Sequence, residues 1–300
     1  LSFSVCFAFH MQQITVRVPA STSNLGPGFD CLGVALRIYN RVTVARGSGN
    51  SESPLATEAA RLFFRRAKTA PFTFACRVSD AVARGRGLGS SATVRAGVLL
   101  ALNELAGRPL ARSAIFELCV EVEGHADNAA PAVFGGFTVA RGRNVQRFAV
   151  SPRLRFVLLI PEFEISTPAA RKILPARIRR ADAVETCGNA CAVTAAFVSR
   201  NYSALRGAFG DHLHQPFRQK LIPFLPAVIA AAEKAGALGA FLSGSGSTIG
   251  AITLESPTRV GTAMLAAVGS HDAQIIITSA DNEGARFLKI RTAQTALRNS

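Results

Sequence analysis

Apolar and polar residues alternate cleanly at two places near the start of the chain. Ile14, Val16 and Val18 fall on one face of a period-two pattern, and Ile38, Val42 and Val44 on another, which predicts strands over 12–18 and 38–46. Between them, Pro19 to Gly33 is too rich in glycine and proline to be regular, and reads as a loop. A helix is expected over 55–68 and a strand over 72–78. Val94, Val98, Leu99, Leu102 and Leu105 recur at helical spacing and predict a helix over 91–105; a second follows at 110–123 after Gly107-Arg108-Pro109. A short helix at 126–133 and strands at 136–140 and 145–150 close the first half, and Ser151-Pro152 marks a boundary between domains at 11–151 and 152–300. The second half reads as strand 154–160, helices 168–173, 181–200, 203–208 and 217–234, strands 238–243 and 248–253, helix 257–268 and strand 273–278. Strands and helices mix without regular alternation, so the class is α+β.

Composition narrows this picture. The 300 residues are 49% hydrophobic and 18% charged, enough for a full core and unlike a disordered chain. No run of about 18 apolar residues occurs, so no transmembrane helix is expected. Residues 1–10 make a poor signal peptide, and Met11 directly precedes the first strand, so Met11 is the expected start and the first ten residues extraneous. Six cysteines are scattered at 6, 31, 76, 119, 187 and 191, mostly among apolar neighbours, and read as small buried hydrophobes of a reducing cytoplasm. The net charge is +15. Its arginines are spread along the whole length without aromatic interleaving, which fits a solvated surface better than a nucleic-acid face and would draw in an anionic nucleotide.

The segment Arg84-Gly-Arg-Gly-Leu-Gly-Ser-Ser-Ala92 runs straight into the 91–105 helix. Glycines let the backbone approach an anion closely, and the unpaired amides of a helix start point at it. The chain has no Gly-Lys-Ser/Thr, and Ser90 replaces the third glycine of a dinucleotide fingerprint, so neither of those motifs applies. Four polar clusters accompany this loop. Ser21, Ser23, Asn24 and Asp30 lie in the Gly/Pro loop and alone read as turn chemistry. Glu121, Glu123, His125, Asp127 and Asn128 crowd one bend, where the bland reading is helix capping and the sharper one a site for a metal–phosphate and a polar substrate. Thr167 could cap a helix with Pro168 at its first position and Arg171 one turn on. His212 to Arg218 alone reads as a solvated loop before a helix, and Leu242-Ser-Gly-Ser-Gly-Ser-Thr248 as a tight hairpin.

In this order and spacing, the Pro19–Gly33, Gly87–Ala92 and Leu242–Thr248 segments resemble the three motifs of the GHMP family of small-molecule kinases. Pro19–Asp30, Glu123–Gly136, Ser166–Pro175 and Leu213–Arg218 are similar to the branch acting on L-homoserine, with the likeness running from Met11 to about residue 280. The resemblance implies an N-terminal domain like ribosomal protein S5, a ferredoxin-like C-terminal domain and an active site between them. It implies transfer of the ATP γ-phosphoryl group to the hydroxyl of L-homoserine, giving O-phospho-L-homoserine for threonine biosynthesis. By motif, Asn24, Asp30, His125, Asn128, Arg171 and Arg218 would surround the substrate, with Asp30 on its ammonium and the arginines on its carboxylate. Thr167 would lie near the reacting hydroxyl. Arg84, Gly85, Arg86, Gly87, Leu88, Gly89, Ser90, Ser91 and Ala92 would cradle ATP, and Ser91 and Glu121 would hold Mg²⁺, with Glu123 as the other carboxylate in reach. Asn128 stands where some relatives carry aspartate, and an amide cannot take a proton. No strong base is therefore expected, and the proton would leave late, to phosphate or through His125.

The chain departs from the family pattern at Ala83 and Ser247, each in place of a proline, and at Gln215, in place of glutamate; residues 47–71 lack the Asn-Leu pair near the adenine site. The expected partner is the small-molecule substrate, without nucleic acid or membrane, and a homodimer stays open. The alternatives are a GHMP kinase for another small carboxylate-bearing alcohol and, in a different class, an RNA-binding protein. The acidic and amide cluster from Glu121 to Asn128 would have no purpose in the latter.

Overall fold

The computed structural model describes residues 13–47, 53–79 and 81–288. Residues 1–12 lie outside them, and with them the expected start and Cys6. A six-stranded sheet is built from β1 (Gln13–Ser23), β2 (Leu32–Arg46), β3 (Phe74–Ser79), β4 (Phe137–Arg141), β5 (Asn144–Phe148) and β10 (Arg286–Leu288). Its order is β10-β1-β2-β4-β5, with β3 also on β2. A four-stranded antiparallel sheet has the order β7-β8-β6-β9, from β6 (Arg155–Pro161), β7 (Gly239–Leu242), β8 (Ile249–Thr253) and β9 (Ala273–Ser279). The helices are α1 (Pro54–Ala67), α2 (Ser90–Leu105), α3 (Arg112–Glu123), α4 (Ala129–Phe134), α5 (Thr167–Lys172), α6 (Arg180–Ser199), α7 (Gln215–Arg218), α8 (Leu225–Lys234) and α9 (Pro257–Ala266). None of the described helices is long and apolar enough to cross a membrane.

Three cores follow from the periodicities. Val16, Val18, Val42 and Val44 of the first sheet meet Val98 and Leu102 of α2 and Phe63 of α1. On β6, alternate residues serve two different cores, which is why its run is apolar without interruption. Phe156 and Leu158 join Phe137 and Phe197 between the sheets, whose rings stack at 4.3 Å. Val157 and Leu159 face Val228 of α8 and Met264 of α9.

Several expectations change. β1 continues as strand through Ser23, so the loop after it is shorter than Pro19–Gly33. Pro19 donates no N–H, and the register slips there, with Pro19 opposite Tyr39 and Ala20 opposite Leu36. The helix expected over 217–234 is broken into α7, a 3₁₀ turn at Gln219–Leu221 and α8, because Pro223 and Pro226 interrupt it. The segment 203–208 is a single 3₁₀ turn, Tyr202–Leu205. β10, a strand that no periodicity in the sequence marks, brings the end of the described chain back onto β1 of the first sheet. The cysteines also differ. Cys119 is buried, but Cys31, Cys187 and Cys191 are exposed, the last two one turn apart on α6, and all five described cysteines are free.

Candidate active site

A cleft of about 740 Å³ runs between the two sheets, and the residues singled out in the sequence line most of it. One end is the glycine loop. Gly85, Gly87 and Gly89 all have positive φ (62°, 73° and 67°), which glycine adopts without steric cost. A Cβ on Gly87 would stand 2.1 Å from the Ser243 carbonyl oxygen, so only glycine lets this loop press on the β7–β8 hairpin. Ser243 Oγ donates to Gly87 O at 2.7 Å, Thr248 N to Arg86 O at 3.1 Å, and Ser21 N to Leu88 O at 3.1 Å. With the loop's carbonyls bonded outward in this way, the amides at the start of α2, which no helical carbonyl reaches, are left over the cleft. The Arg86 guanidinium turns away, donating to the carbonyls of Pro161 and Glu162 at the end of β6. Ser53, Pro54 and Leu55, with Cys76, Val78 and Val94, wall the cleft beyond the loop. Nothing in the chain's pattern marks this wall except the alternation of Cys76 and Val78 on β3.

The acidic cluster divides. Glu121 is not in the cleft: its Oε1 pairs with Arg65 Nη2 at 3.0 Å on the outer surface of α3. This corrects its assignment as a metal ligand. Glu123 is the carboxylate that enters, accepting from Ser91 Oγ at 2.9 Å and pairing with Arg95 Nη1 at 2.5 Å. Its side chain is 5% exposed. Among the described residues there is no group of three or more His, Cys, Asp or Glu side chains placed to hold a metal.

At the other end the polar part of β1 finds its partners. Ser21, Thr22 and Ser23 are fully buried in a strand because each hydroxyl is bonded. Ser21 Oγ donates to Asn128 Oδ1 at 2.8 Å, Asn128 Nδ2 donates to Ser23 Oγ at 3.0 Å, and Thr22 Oγ1 shares a hydrogen bond with Ser243 Oγ at 2.8 Å. Asn24 takes φ 70°, its Nδ2 donating to Gly244 O at 2.9 Å and its Oδ1 accepting from Asp30 N at 3.0 Å. Asp30 and Arg171 face each other as a forked pair at 2.7 and 3.0 Å. Phe29 lies beneath both arginines, with Arg171 and Arg218 at 5.4 and 5.2 Å from its ring centre. Arg218 is 2% exposed. Burial and the nearby Arg171 bring its guanidinium down to about 10, still charged at neutral pH. His125 Nδ1 hydrogen-bonds Asp127 Oδ1 at 2.6 Å. Burial works against the charged imidazole, but the bond to Asp127 and the charges of Asp127 and Glu123 prevail, and its pKa is raised. Asp127 is likewise held below the usual carboxylate range despite its burial.

The remaining motifs resolve with small shifts. The cap of α5 is Ser166, whose Oγ accepts from Ala169 N at 3.3 Å, not Thr167. Thr167 Oγ1 instead faces Ser245 Oγ of the hairpin at 3.4 Å. The segment before α7 is not a solvated loop: His214 is fully buried and His212 and Leu213 are half-buried, with His212 beside Glu185 at 3.2 Å. Gln215 works as an amide. Its Oε1 accepts from Leu242 N at 2.7 Å while its Nε2 donates to Phe209 O at 3.4 Å, which a carboxylate could not do.

Residues 54–136 match the GHMP kinases N-terminal domain and residues 194–271 the GHMP kinases C-terminal domain. Among curated proteins, the homoserine kinase of Caldicellulosiruptor bescii is 38% identical over 93% of this chain and 98% of its own length. That of Microchaete diplosiphon is 37% identical over 93% and 98%. The crystal structure of homoserine kinase from Cytophaga hutchinsonii superposes with a TM-score of 0.85 at 26% identity, covering 96% of this chain and all of the other. With both family regions matched and relatives this similar along nearly their whole length, the chain belongs to the GHMP kinases, ATP-dependent enzymes, and within them to the homoserine kinase family.

Proposed function

We propose that the enzyme transfers the γ-phosphoryl group of ATP to the side-chain hydroxyl of L-homoserine, releasing ADP and O-phospho-L-homoserine for threonine biosynthesis. The observation that carries this reading is the meeting of Asp30, Arg171 and Arg218 around Phe29 at one end of a cleft whose other end is the glycine loop. A zwitterion complements such a pair. Its carboxylate suits the Arg171 fork and the Arg218 guanidinium, and its ammonium suits Asp30, which would exchange Arg171 for it. On this reading the backbone of Arg84–Ala92 holds the triphosphate, and Thr167 and Ser245 stand between the two ends, near the reacting hydroxyl. Asn128 locks Ser21 and Ser23 and accepts no proton. Transfer then depends on positioning and charge neutralisation, with His125 and its partner Asp127 as the groups able to move a proton.

A carboxylate beside a hydroxyl is a hard-oxygen donor set that suits Mg²⁺ when phosphate oxygens and water complete the shell, so Ser91 and Glu123 would hold it. Bound there, the ion would neutralise charge on the transferring phosphate. The division at 11–151 and 152–300 belongs to the same proposal, with β10 returning to the first unit. So does a cytoplasmic location, which the free thiols among the described residues suit.

ADP release measured with a panel of amino and hydroxy acids tests the reading. L-Homoserine is expected to turn over, and 3-aminopropanol, which lacks the carboxylate, to do so poorly. Arg218→Leu should raise KM for homoserine by roughly 10- to 150-fold, the worth of about 1.5–3 kcal/mol for a charged hydrogen bond. Equal turnover of homoserine and 3-aminopropanol would overturn it.

A further inference from the structure

The Arg218 side chain is fixed by three acceptors from three elements. Nε donates to Ala170 O of α5 at 3.2 Å, and Nη1 donates both to Gly244 O of the hairpin at 2.9 Å and to His214 Nδ1 at 3.3 Å. Nη2 makes no hydrogen bond among the described residues, so it is the donor left for the cleft that Arg218 lines. His214 is fully buried, and its other ring nitrogen meets only acceptors: Gly26 O at 2.8 Å and Asp211 Oδ2 at 3.4 Å. Asp211 is itself held by the amides of Leu213, His214 and Gln215. Two acceptors at Nε2 and a guanidinium donor at Nδ1 leave one arrangement, a neutral ring with its proton on Nε2. Burial first, and Arg218 as well, push the imidazole down to about 4, which agrees.

We propose that His214 is a positioning residue for the substrate carboxylate: its Nδ1 holds the Arg218 fork, and its Nε2–H ties that fork to the Gly26 turn. Gly26 belongs to the same loop as Phe29 and Asp30, and the His214 ring stacks on Phe29 at 5.2 Å. One imidazole therefore sets the distance between the donor for a carboxylate and the acceptor for an ammonium, and selects an α-amino acid by the spacing of its charges. The stacking alone would be served by any aromatic ring, whereas the two hydrogen bonds need a group that accepts on one side and donates on the other.

The inference rests on the proposed substrate, so turnover of homoserine by the wild-type enzyme is measured first; its absence would refute that reading, while the imidazole ¹⁵N shifts test the His214–Arg218 geometry without any substrate. Glutamine places its amide where Nε2 stands, and asparagine where Nδ1 stands. His214→Gln should raise KM for homoserine about tenfold, with KM for ATP within twofold and kcat within threefold. His214→Asn, which keeps an acceptor toward Arg218, should recover most of that loss. In an Arg218→Met background, His214→Gln should add less than twofold. In wild-type enzyme, imidazole ¹⁵N shifts should show Nδ1 unprotonated and Nε2 protonated at neutral pH, a reading that needs no variant to fold. Equal losses in the two variants, full additivity with Arg218→Met, a matching rise in KM for ATP, or a proton on Nδ1 would each overturn the proposal.

Discussion

Glu121 and Glu123 stand two residues apart on α3, about 200° around a helix of 3.6 residues per turn, so one being in the cleft forces the other out. Both are acidic and both sit in the motif, and the sequence alone does not set the helix phase that separates them. The contact of Ser91 with Glu123 does. Given the proposed role of that pair, Glu123→Gln should cut kcat by about 10²- to 10³-fold. Its amide oxygen can still accept from Arg95, while its Nε2 donates to Ser91 Oγ instead of accepting from it. Glu121→Gln breaks an exposed ion pair worth at most about 1 kcal/mol and should change kcat by less than about twofold. Steady-state rates beside thermal melts of both variants decide it, and the reverse ranking would return the site to Glu121. His125, which lines the cleft, and the fully buried His214 predict opposite pH effects. His125 is raised above its unfolded value of 6.5, so its contribution to stability is full below that value and is lost as pH rises through the folded pKa. His214 is lowered to about 4, between Asp211 and Arg218, so the unfolded chain takes up a proton that the folded one refuses. Stability should therefore fall as pH drops from 6.5 toward 4. Urea melts across that range should show a shallower fall in His214→Asn, and an unchanged slope would remove His214 as the cause.

At the scale of elements, periodicity found nearly all of the helices and strands, because most elements bury one face and Val, Leu and Phe mark that face. It failed where another force set the backbone. Ser21, Thr22 and Ser23 look like loop because they are polar, yet they extend a strand whose hydroxyls are satisfied by Asn128 and Ser243, over 100 residues away. Reading them as strand needs the partner loops, which no local window contains. The glycine motif was legible as an anion loop, but its second surface was not: Gly87 is glycine as much for the Ser243 carbonyl as for a phosphate. That surface is testable. Gly87→Ala must displace a hairpin backbone as well as hold φ 73°, and should lower both stability and ATP affinity. Gly142→Ala, at φ 60° in an open turn between β4 and β5 with nothing near its Cβ, bears only the backbone cost of about 1 kcal/mol and should leave ATP binding unaltered. Calorimetric ATP titrations beside thermal melts separate the two effects. Similar behaviour of the two variants would mean that the loop–hairpin contact is not rigid.

At the scale of the whole molecule, the cleft exists because the chain crosses between its sheets more than once, and the last crossing is the one the sequence concealed. Three residues, Arg286–Leu288, are too few to show a period, and their pairing with β1 is set by what holds the segment before them. Asp281 N donates to Ala35 O at 2.8 Å, Gly136 N to Asp281 O at 2.7 Å, and Ala285 N to Ala132 O at 3.0 Å. Arg112, from the start of α3, closes this arrangement by donating to the carbonyls of Val133 and Ala285. Burial, with Arg286 as a second cation nearby, lowers the pKa of its guanidinium, so the charge is held there against a desolvation cost and its hydrogen bonds must offset it. Arg112→Met keeps much of the apolar stem and removes every donor. It should lower stability by about 1–3 kcal/mol, the cost of leaving buried carbonyls without partners. Because Arg112 does not line the cleft, KM for ATP and for homoserine should stay within about twofold of wild type at temperatures below the melt. Hydrogen exchange should show the loss where the returning strand meets the sheet, at the amides of residues 13–18 and 286–288, before it reaches α8 and α9. A uniform loss of protection across both sheets would instead mean that the molecule opens as one cooperative unit and that the returning strand is no weaker than the rest.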